Sequence, residues 1–240
     1  MGWKTAILLA CDGNPALCLG AADGADPAAT ADLMARAYPG WTATPTEGEF
    51  LHDATFPPEG IAYAGSFPAA DIICDQEFML EHPSQLSPNL VALGEGRRLV
   101  LHTMHSVVDF FAFGVWEDGT LVRSLSMALG GPRPGIMENL GTPLPFEEPY
   151  WAGQHAIADG YPLPFYPADL AEPTATAALF GFTLGGLSRS SEIEADCIAL
   201  AGFTVPASEP VTAEQVAEFT QTHKRNTYRL VDGKLVEIDE

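Results

Sequence analysis

The sequence predicts an α+β protein built on a mixed β-sheet. Apolar runs rich in β-forming residues outnumber helical patterns. Asp-Gly dipeptides at 118–119 and 232–233 stand between such runs, and Asp-Gly readily adopts the positive φ angles of a two-residue hairpin turn. We therefore expect a β-α-β-like start, an antiparallel meander, a few flanking helices, and a C-terminal helix with a hairpin.

The first elements follow from simple patterns. Lys4–Cys11 is a continuous apolar run that ends in turn-forming residues at 12–15, so it predicts a buried strand. Asp26 is placed to cap a helix with a proline in its first turn. The helical pattern continues over residues 28–37 and stops at Tyr38-Pro39-Gly40.

Further strands are expected at Ile61–Phe67 and Ala70–Cys74. From Leu99 the chain reads as an antiparallel meander, with its clearest hairpin at Asp118-Gly119. Polar side chains that could do chemistry interrupt the β-forming residues of this meander. It is therefore the first region to search for a site.

Prolines recur through the middle of the chain. Pro143-Leu144-Pro145-Phe146 recurs as Pro162-Leu163-Pro164-Phe165, with further aromatic residues between the repeats. Such sequence favours extended backbone that crosses a surface. We call residues 143–165 the strap. Its aromatic side chains either cover one face of the sheet or form a groove for a ligand or peptide, in which case the ligand-binding residues are Phe146, Tyr150, Trp151 and Phe165.

The C-terminal part is expected to form an appendage. A helical pattern at 174–183 belongs to the main domain, which we place at residues 1–205. Residues 206–240 then begin with a proline-bounded linker, continue as a helix with a capping box at Thr212 and Gln215, and end in a hairpin around 232–233.

Charge excludes two classes of partner. The 240 residues contain 32 acidic and 11 basic side chains, a net charge of −21. This field repels phosphate backbones and anionic membrane surfaces, so no nucleic acid and no membrane partner is expected. The excess acid is explained by solubility alone. Arg97, Arg98, Arg123 and Arg133 cluster around the meander, where they are expected to form surface ion pairs, with anion binding as the alternative.

The sequence favours a cytoplasmic protein. No apolar run reaches the roughly 18 residues that span a bilayer, and the N-terminus reads as a strand rather than a signal peptide. The four cysteines lack a C-x-x-C pair, so free buried thiols are expected. Phosphate-binding, dinucleotide-binding and serine-hydrolase motifs are missing, which leaves the cofactor unknown.

Two constellations could carry catalysis. His102, His105 and Asp109 resemble a two-histidine, one-carboxylate metal set, but on a strand the two histidines point to opposite faces, which favours structural histidines and no metal.

Cys11 and Cys74 each end an apolar run and precede an aspartate. If their strands are parallel neighbours, a thiol could act as nucleophile with His102 or His105 as base. The competing interpretation is two small buried cysteines.

Five short motifs are distinctive when taken together. They are Met-Gly-Trp-Lys-Thr at the start, Tyr38-Pro39-Gly40-Trp41, His102-x-Met104-His105-Ser106-Val107-Val108-Asp109, Val115-Trp116-Glu117-Asp118-Gly119, and the segment 143–153. Through these motifs the chain resembles an uncharacterised family of actinobacterial proteins, catalogued only as a domain of unknown function, over about residues 1–203. The resemblance implies a single compact domain and carries no activity, cofactor or catalytic residue.

Two functions from different classes follow. The first is an acidic, soluble, cytosolic binding protein without catalytic activity, whose strap and surface engage a protein partner or a small molecule. The second is a hydrolase-type enzyme that uses Cys/His or metal chemistry around His102, His105 and Asp109.

Overall fold

The computed structural model describes residues 3–20, 24–130, 134–183, 193–206, 227–231 and 234–238. The chain divides into two compact units, Met1–Ala207 and Ser208–Glu240. In the second unit, β10 (Thr227–Val231) pairs antiparallel with β11 (Lys234–Ile238), which is the expected hairpin. The expected C-terminal helix lies outside the described residues, and the domain boundary at 205 stays a prediction.

The first unit is built on one nine-stranded sheet. Its order is β2-β9-β3-β4-β1-β5-β6-β7-β8, and each described pair of neighbours is antiparallel. The strands are β1 (Lys4–Cys11), β2 (Thr44–Phe50), β3 (Ile61–Phe67), β4 (Ala70–Cys74), β5 (Arg98–His105), β6 (Phe110–Glu117), β7 (Thr120–Ala128), β8 (Gly135–Gly141) and β9 (Ala199–Thr204).

The α+β class is confirmed, but the expected mixed sheet is wrong. A β-α-β start would put the next strand parallel to β1. Instead, the strand that follows the first long helix is β2, which goes to the edge of the sheet. The tight β3–β4 hairpin then brings β4 beside β1 in the antiparallel sense. The sheet is therefore antiparallel throughout the described strands.

Short helices flank the sheet. They are α1 (Pro15–Gly20), α2 (Pro27–Ala37), α3 (Leu51–Ala54), α4 (Pro88–Val91), α5 (Glu148–Trp151), α6 (Pro167–Leu170) and α7 (Thr176–Phe180), with a π-helical turn at Ala171–Ala175. The predicted cap of α2 is confirmed, because the Asp26 carboxylate accepts hydrogen bonds from the backbone N–H groups of Ala28 and Ala29. The helix predicted at 174–183 ends earlier, since Gly181 adopts a left-handed conformation with φ of 81°.

The alternation of side chains along β1 divides the core in two. Ile7, Leu9 and Cys11 point to one face, here called the strap face, which is covered by the strap, α1, α6 and α7. Ala6, Leu8 and Ala10 point to the other, the α2 face, which is covered by α2 and residues 76–94. The sheet is thus the middle layer of three.

The meander is the best-predicted part of the fold. β5, β6 and β7 pair in sequence order, and the β6–β7 turn has positive φ at Asp118 (49°) and Gly119 (71°), which confirms the hairpin prediction. Phe111 and Phe113 on β6 are fully buried on the strap face. Burying each such ring contributes roughly 1.5–3 kcal/mol to the stability of the fold.

Candidate functional site

His102 is a core residue with both ring nitrogens engaged. Nε2 lies 3.2 Å from the carbonyl oxygen of Ala171, which can only accept, so Nε2 carries the proton. Nδ1 then accepts a hydrogen bond of 2.9 Å from the Thr5 hydroxyl. Burial lowers the pKa of His102 to about 4. The neutral imidazole therefore ties β5 to β1 and to the π-helical turn, with no nitrogen left for a metal or a substrate.

His105 and Asp109 do not form a site with His102. His102 and His105 point to opposite faces of β5, as strand geometry requires. A 3₁₀ turn at Ser106–Val108 follows, and Asp109 leaves it with a left-handed φ of 47°. Burial and the neighbouring Lys4 lower the pKa of His105. Within the described ranges, no three histidine, cysteine, aspartate or glutamate side chains come together as metal ligands.

The two strand-end cysteines lie apart. Because β1 and β4 are antiparallel, Cys74 stands opposite Ile7 and Cys11 stands opposite Ala70, about 13 Å along the strand at 3.3 Å per residue. The two strands are neighbours but antiparallel, so the condition for bringing both thiols to one end of the sheet is not met. Burial raises the pKa of the Cys11 thiol to about 11, and it raises the pKa of Cys74 as well. Both thiols are therefore protonated at neutral pH.

The imidazole of His102 is also out of reach of both thiols, since Cys11 pairs with Arg98, four residues from His102 along β5, or about 13 Å. His102 and Cys74 both stand opposite Ile7, one on each side of β1, so about two strand spacings, close to 10 Å, separate them. A base must come within roughly 3 Å of the proton that it takes. The structure brings together neither the Cys/His pair nor the His/His/Asp set.

The strap aromatics serve as packing groups. Phe165 and Tyr150 are buried, and the rings of Trp151 and Phe165 meet edge-on at 5.1 Å. Phe146 packs on Phe113 of β6 with ring centroids 5.6 Å apart. The strap thus covers the strap face. A ligand-binding role for these four side chains stays a prediction.

A cleft opens instead at the C-terminal end of β1. Its volume is about 810 Å³. Five segments of the first unit contribute: the end of β1, the turn into α1, the start of β5, the β6–β7 hairpin and α7. The lining residues are Cys11, Asp12, Gly13, Asn14, Pro15, Ala16, Gly96, Arg97, Arg98, Glu117, Asp118, Ala177, Ala178 and Gly181.

Local hydrogen bonds fix the walls of the cleft. The Asp118 carboxylate accepts from the Gly96 N–H at 2.7 Å, which ties the β6–β7 hairpin to the turn before β5. The Asn14 side chain accepts from the Ala16 N–H at 2.9 Å at the start of α1. Gly181 lets α7 approach α1, since a Cβ there would lie 2.4 Å from Cβ of Ala16. The cleft is therefore preformed.

Arg97 is committed to the protein. Its Nη2 donates to Asp71 Oδ2 at 2.6 Å and to the Leu93 carbonyl at 2.9 Å, and its Nε lies 3.9 Å from Asp12 Oδ1. Arg36 also approaches the same Asp71 oxygen, at 3.6 Å. Through Asp71, Arg97 thus links the rim of the cleft to β4.

Arg98 differs from Arg97 in its side-chain contacts. Its Nε lies 3.6 Å from Glu117 Oε1, too far for a hydrogen bond, and Nε is buried with no hydrogen-bond partner in the described chain. Nε is one of the five N–H donors of the guanidinium, and Glu117 is the carboxylate nearest to it. Beside it on the strap face lies Cys11, its direct cross-strand neighbour. Arg98 therefore lines the cleft with one buried donor, Nε, that no described residue accepts from.

The matching family model, described as a family of unknown function (DUF6928), covers residues 5–203. The chain belongs to this family. The match runs through the first eight strands into β9 and includes every residue that lines the cleft. No curated protein and no solved structure matches the chain.

The DUF6928 segment contains a second polar centre, which sequence reasoning assigned wrongly. Arg123 was expected in a surface ion pair, but it is fully buried. Its Nε and Nη2 donate to both carboxylate oxygens of Glu147, at 2.8 and 2.5 Å, and Nη1 donates to Asn139 Oδ1 at 2.6 Å. The Leu144 N–H and the Trp151 indole complete the partners of Glu147. This pair anchors the strap to β7.

No described helix is long and apolar enough to cross a bilayer.

Proposed function

We propose that this DUF6928 protein is a non-catalytic binding protein for a small polar molecule, held in the cleft at the end of β1 with an anionic group against Arg98. The single observation that carries the proposal is Arg98, which lines a cavity of about 810 Å³ and whose Nε has no hydrogen-bond partner in the described protein. That volume falls in the range of roughly 300–1,000 Å³ typical of ligand sites.

The rim of the cleft limits the chemistry of the ligand. Asp12, Glu117 and Asp118 line the cleft together with Arg97 and Arg98. A purely anionic molecule would meet three carboxylates, and a purely cationic one would meet two guanidiniums. An amphoteric molecule is the best match: its carboxylate or phosphate faces Arg98, and its ammonium or hydroxyl donors face Asp12 and Glu117.

The chemistry of the residues supports binding over catalysis. The hydrolase alternative needs an activated thiol or a bound metal, and the pKa of Cys11 is raised to about 11 by burial. His102 uses both nitrogens inside the core, so it cannot serve as a base at the cleft. No contact in the described structure favours the hydrolase.

A direct test is isothermal titration of the full chain with zwitterionic amino acids, small dicarboxylates and sugar phosphates, supported by thermal unfolding. A ligand present at 100 times its dissociation constant should stabilise the fold by about 2.7 kcal/mol. Arg98→Gln should weaken binding at least tenfold. Arg98→Lys should recover only part of it, because an ammonium lacks the planar fork of guanidinium.

Lys4→Gln is the matched control. It removes the same charge from an exposed residue at the opposite end of β1, so binding should be unchanged. The proposal is wrong if no member of the panel binds, or if the Arg98 variants and the Lys4 variant bind equally well.

A further inference from the structure

The residues that line the cleft include two groups of opposite chemistry. The first group comes from the sheet and its turns and carries all the charged side chains of the lining. Its members are Asp12, Arg97, Arg98, Glu117 and Asp118. The second group comes from α1, α7 and the residue that ends α7, and its side chains have no hydrogen-bonding atom. Its members are Pro15, Ala16, Ala177, Ala178 and Gly181.

The charged group forms one connected surface. Arg98 on β5 stands directly opposite Glu117 on β6. The Asp118 N–H donates to the Arg97 carbonyl at 3.0 Å, and Arg97 Nε lies 3.9 Å from Asp12 Oδ1. The side chains of Asp12 and Glu117 are 54% and 52% exposed, so both carboxylates are accessible. A zwitterion therefore finds an opposite charge for each of its own charges on this surface.

The apolar group is connected as well. Gly181 lies so close to Ala16 that an added Cβ would clash with the Cβ of Ala16, so α1 and α7 adjoin at the cleft. α7 buries its larger side chains in the core of the strap face and contributes Ala177, which is half-buried, and Ala178, which is exposed, to the lining. These short side chains leave room for a side chain of the ligand.

The apolar surface discriminates among the molecules that Arg98 could hold. The hydroxyl groups of a sugar would lose their hydrogen bonds to water there and would gain none from alanine or proline. An aliphatic group would instead gain free energy on leaving water. The described residues that line the cleft include no aromatic side chain on which a ring could stack.

We propose that the ligand of the cleft is an amino acid or a dipeptide with aliphatic side chains. Its carboxylate lies at Arg98, its ammonium group lies near the carboxylate of Asp12 or Glu117, and a side chain packs against Ala177 and Ala178. A cleft of about 810 Å³ has room for either size of ligand. This inference rests on the proposed binding function and names the class of ligand.

The test is isothermal titration of the full chain with pairs of ligands of nearly equal shape. Leucine is compared with asparagine, whose side chain has almost the same outline but is polar. Leucyl-leucine and asparaginyl-asparagine form the second pair, at the size of a dipeptide. In at least one pair the aliphatic member should bind at least tenfold more tightly, because only its side chain gains from contact with the alanines.

Variants separate the two groups of lining residues. Ala178→Asp places a carboxylate on the apolar surface, so it should reduce the ratio of aliphatic to polar affinity at least fivefold. Arg98→Gln should weaken both ligands of a pair at least tenfold and leave their ratio within twofold, because both carry the same carboxylate. A merely structural effect would not change the ratio.

Ala31→Asp is the matched control. It adds the same charge at an exposed alanine of α2, which covers the other face of the sheet, so both affinities should stay within twofold of the unmodified protein. Ala178→Ser makes a smaller polar change and should lower the ratio in the same direction as Ala178→Asp. Thermal unfolding shows that each variant is folded.

Three outcomes would overturn the ligand class and leave the binding function intact. In the first, a sugar phosphate or dicarboxylate binds in a way that depends on Arg98 and neither aliphatic ligand binds. In the second, the polar member of each pair binds as tightly as the aliphatic one. In the third, the Ala178 and Ala31 variants change the ratio equally. Failure of every compound to bind would overturn both proposals.

Discussion

Arg98 and Arg123 belong to the same meander, yet they are opposite kinds of arginine. Arg123 is fully buried, and its guanidinium donates to Glu147, to Asn139 and to three backbone carbonyls, those of Ser124, Leu140 and Gly141. Arg98 lies at a cleft, with one carboxylate 3.6 Å from its side-chain Nε and no hydrogen-bond partner for that nitrogen in the described chain. The comparison teaches that the number of protein partners, and not the residue type, separates an arginine that builds the fold from one available to a ligand.

Glu147→Gln should give the largest effect. It leaves the charge of Arg123 buried without its counter-ion, and breaking a buried pair costs about 3–5 kcal/mol. Unfolding in urea measures the loss. Glu148→Gln is the matched control, because this neighbouring carboxylate is exposed, and it should change the free energy of unfolding by less than about 0.5 kcal/mol. Equal stability of the two variants would contradict a structural role for the pair.

His102 provides the next largest effect, through pH. Its pKa is about 4 in the folded state, against about 6.5 in an unfolded chain, so the unfolded state binds more protons between these values. The stability contributed by the neutral imidazole is complete above pH 6.5 and is lost as pH falls toward 4, by about 3 kcal/mol.

The measurement is the free energy of unfolding in urea across that pH range. His102→Gln removes the titrating group, so its stability should fall less steeply with pH than that of the unmodified protein. Parallel curves for the two proteins would mean that His102 is not buried in its neutral form.

Arg98→Gln should have the smallest effect on stability. Its ion pair with Glu117 is long and partly solvated, and such pairs contribute about 1 kcal/mol or less. Arg123→Gln provides the comparison, with an expected loss similar to that of Glu147→Gln. If Arg98→Gln unfolds the protein as readily as Arg123→Gln does, Arg98 is a structural residue and the comparison fails.

Local patterns predicted the parts of the fold that depend on local physics. The β1 run, the Asp26 cap and the Asp118-Gly119 turn each act within a few residues of sequence, and each is confirmed. β2 was not expected, because proline and glutamate are poor strand residues. It forms as an edge strand because β9 pairs with it over a long sequence distance.

The cleft could not have been predicted in the same way. Its lining comes from five segments whose proximity depends on the antiparallel order of the strands, so Cys11 and Arg98 become neighbours only when β1 pairs with β5. The sequence contained one usable signal, the pair Arg97-Arg98 just before the meander. Nothing local distinguishes these arginines from the buried Arg123, because burial is set by the strap that packs over it.

The place of β9 in the sheet has a consequence for synthesis. β2 ends at Phe50 and β3 at Phe67, but the strand that joins them begins at Ala199. At roughly 5–20 residues per second, a ribosome needs about 7–30 seconds to reach it. During that interval β2 has no strand to pair with, so the sheet is completed only after β9 has been synthesised. The proline and glutamates of β2 then have two effects. They limit association of the unpaired strand with other chains before β9 is made, and they limit strand addition at the edge of the folded sheet.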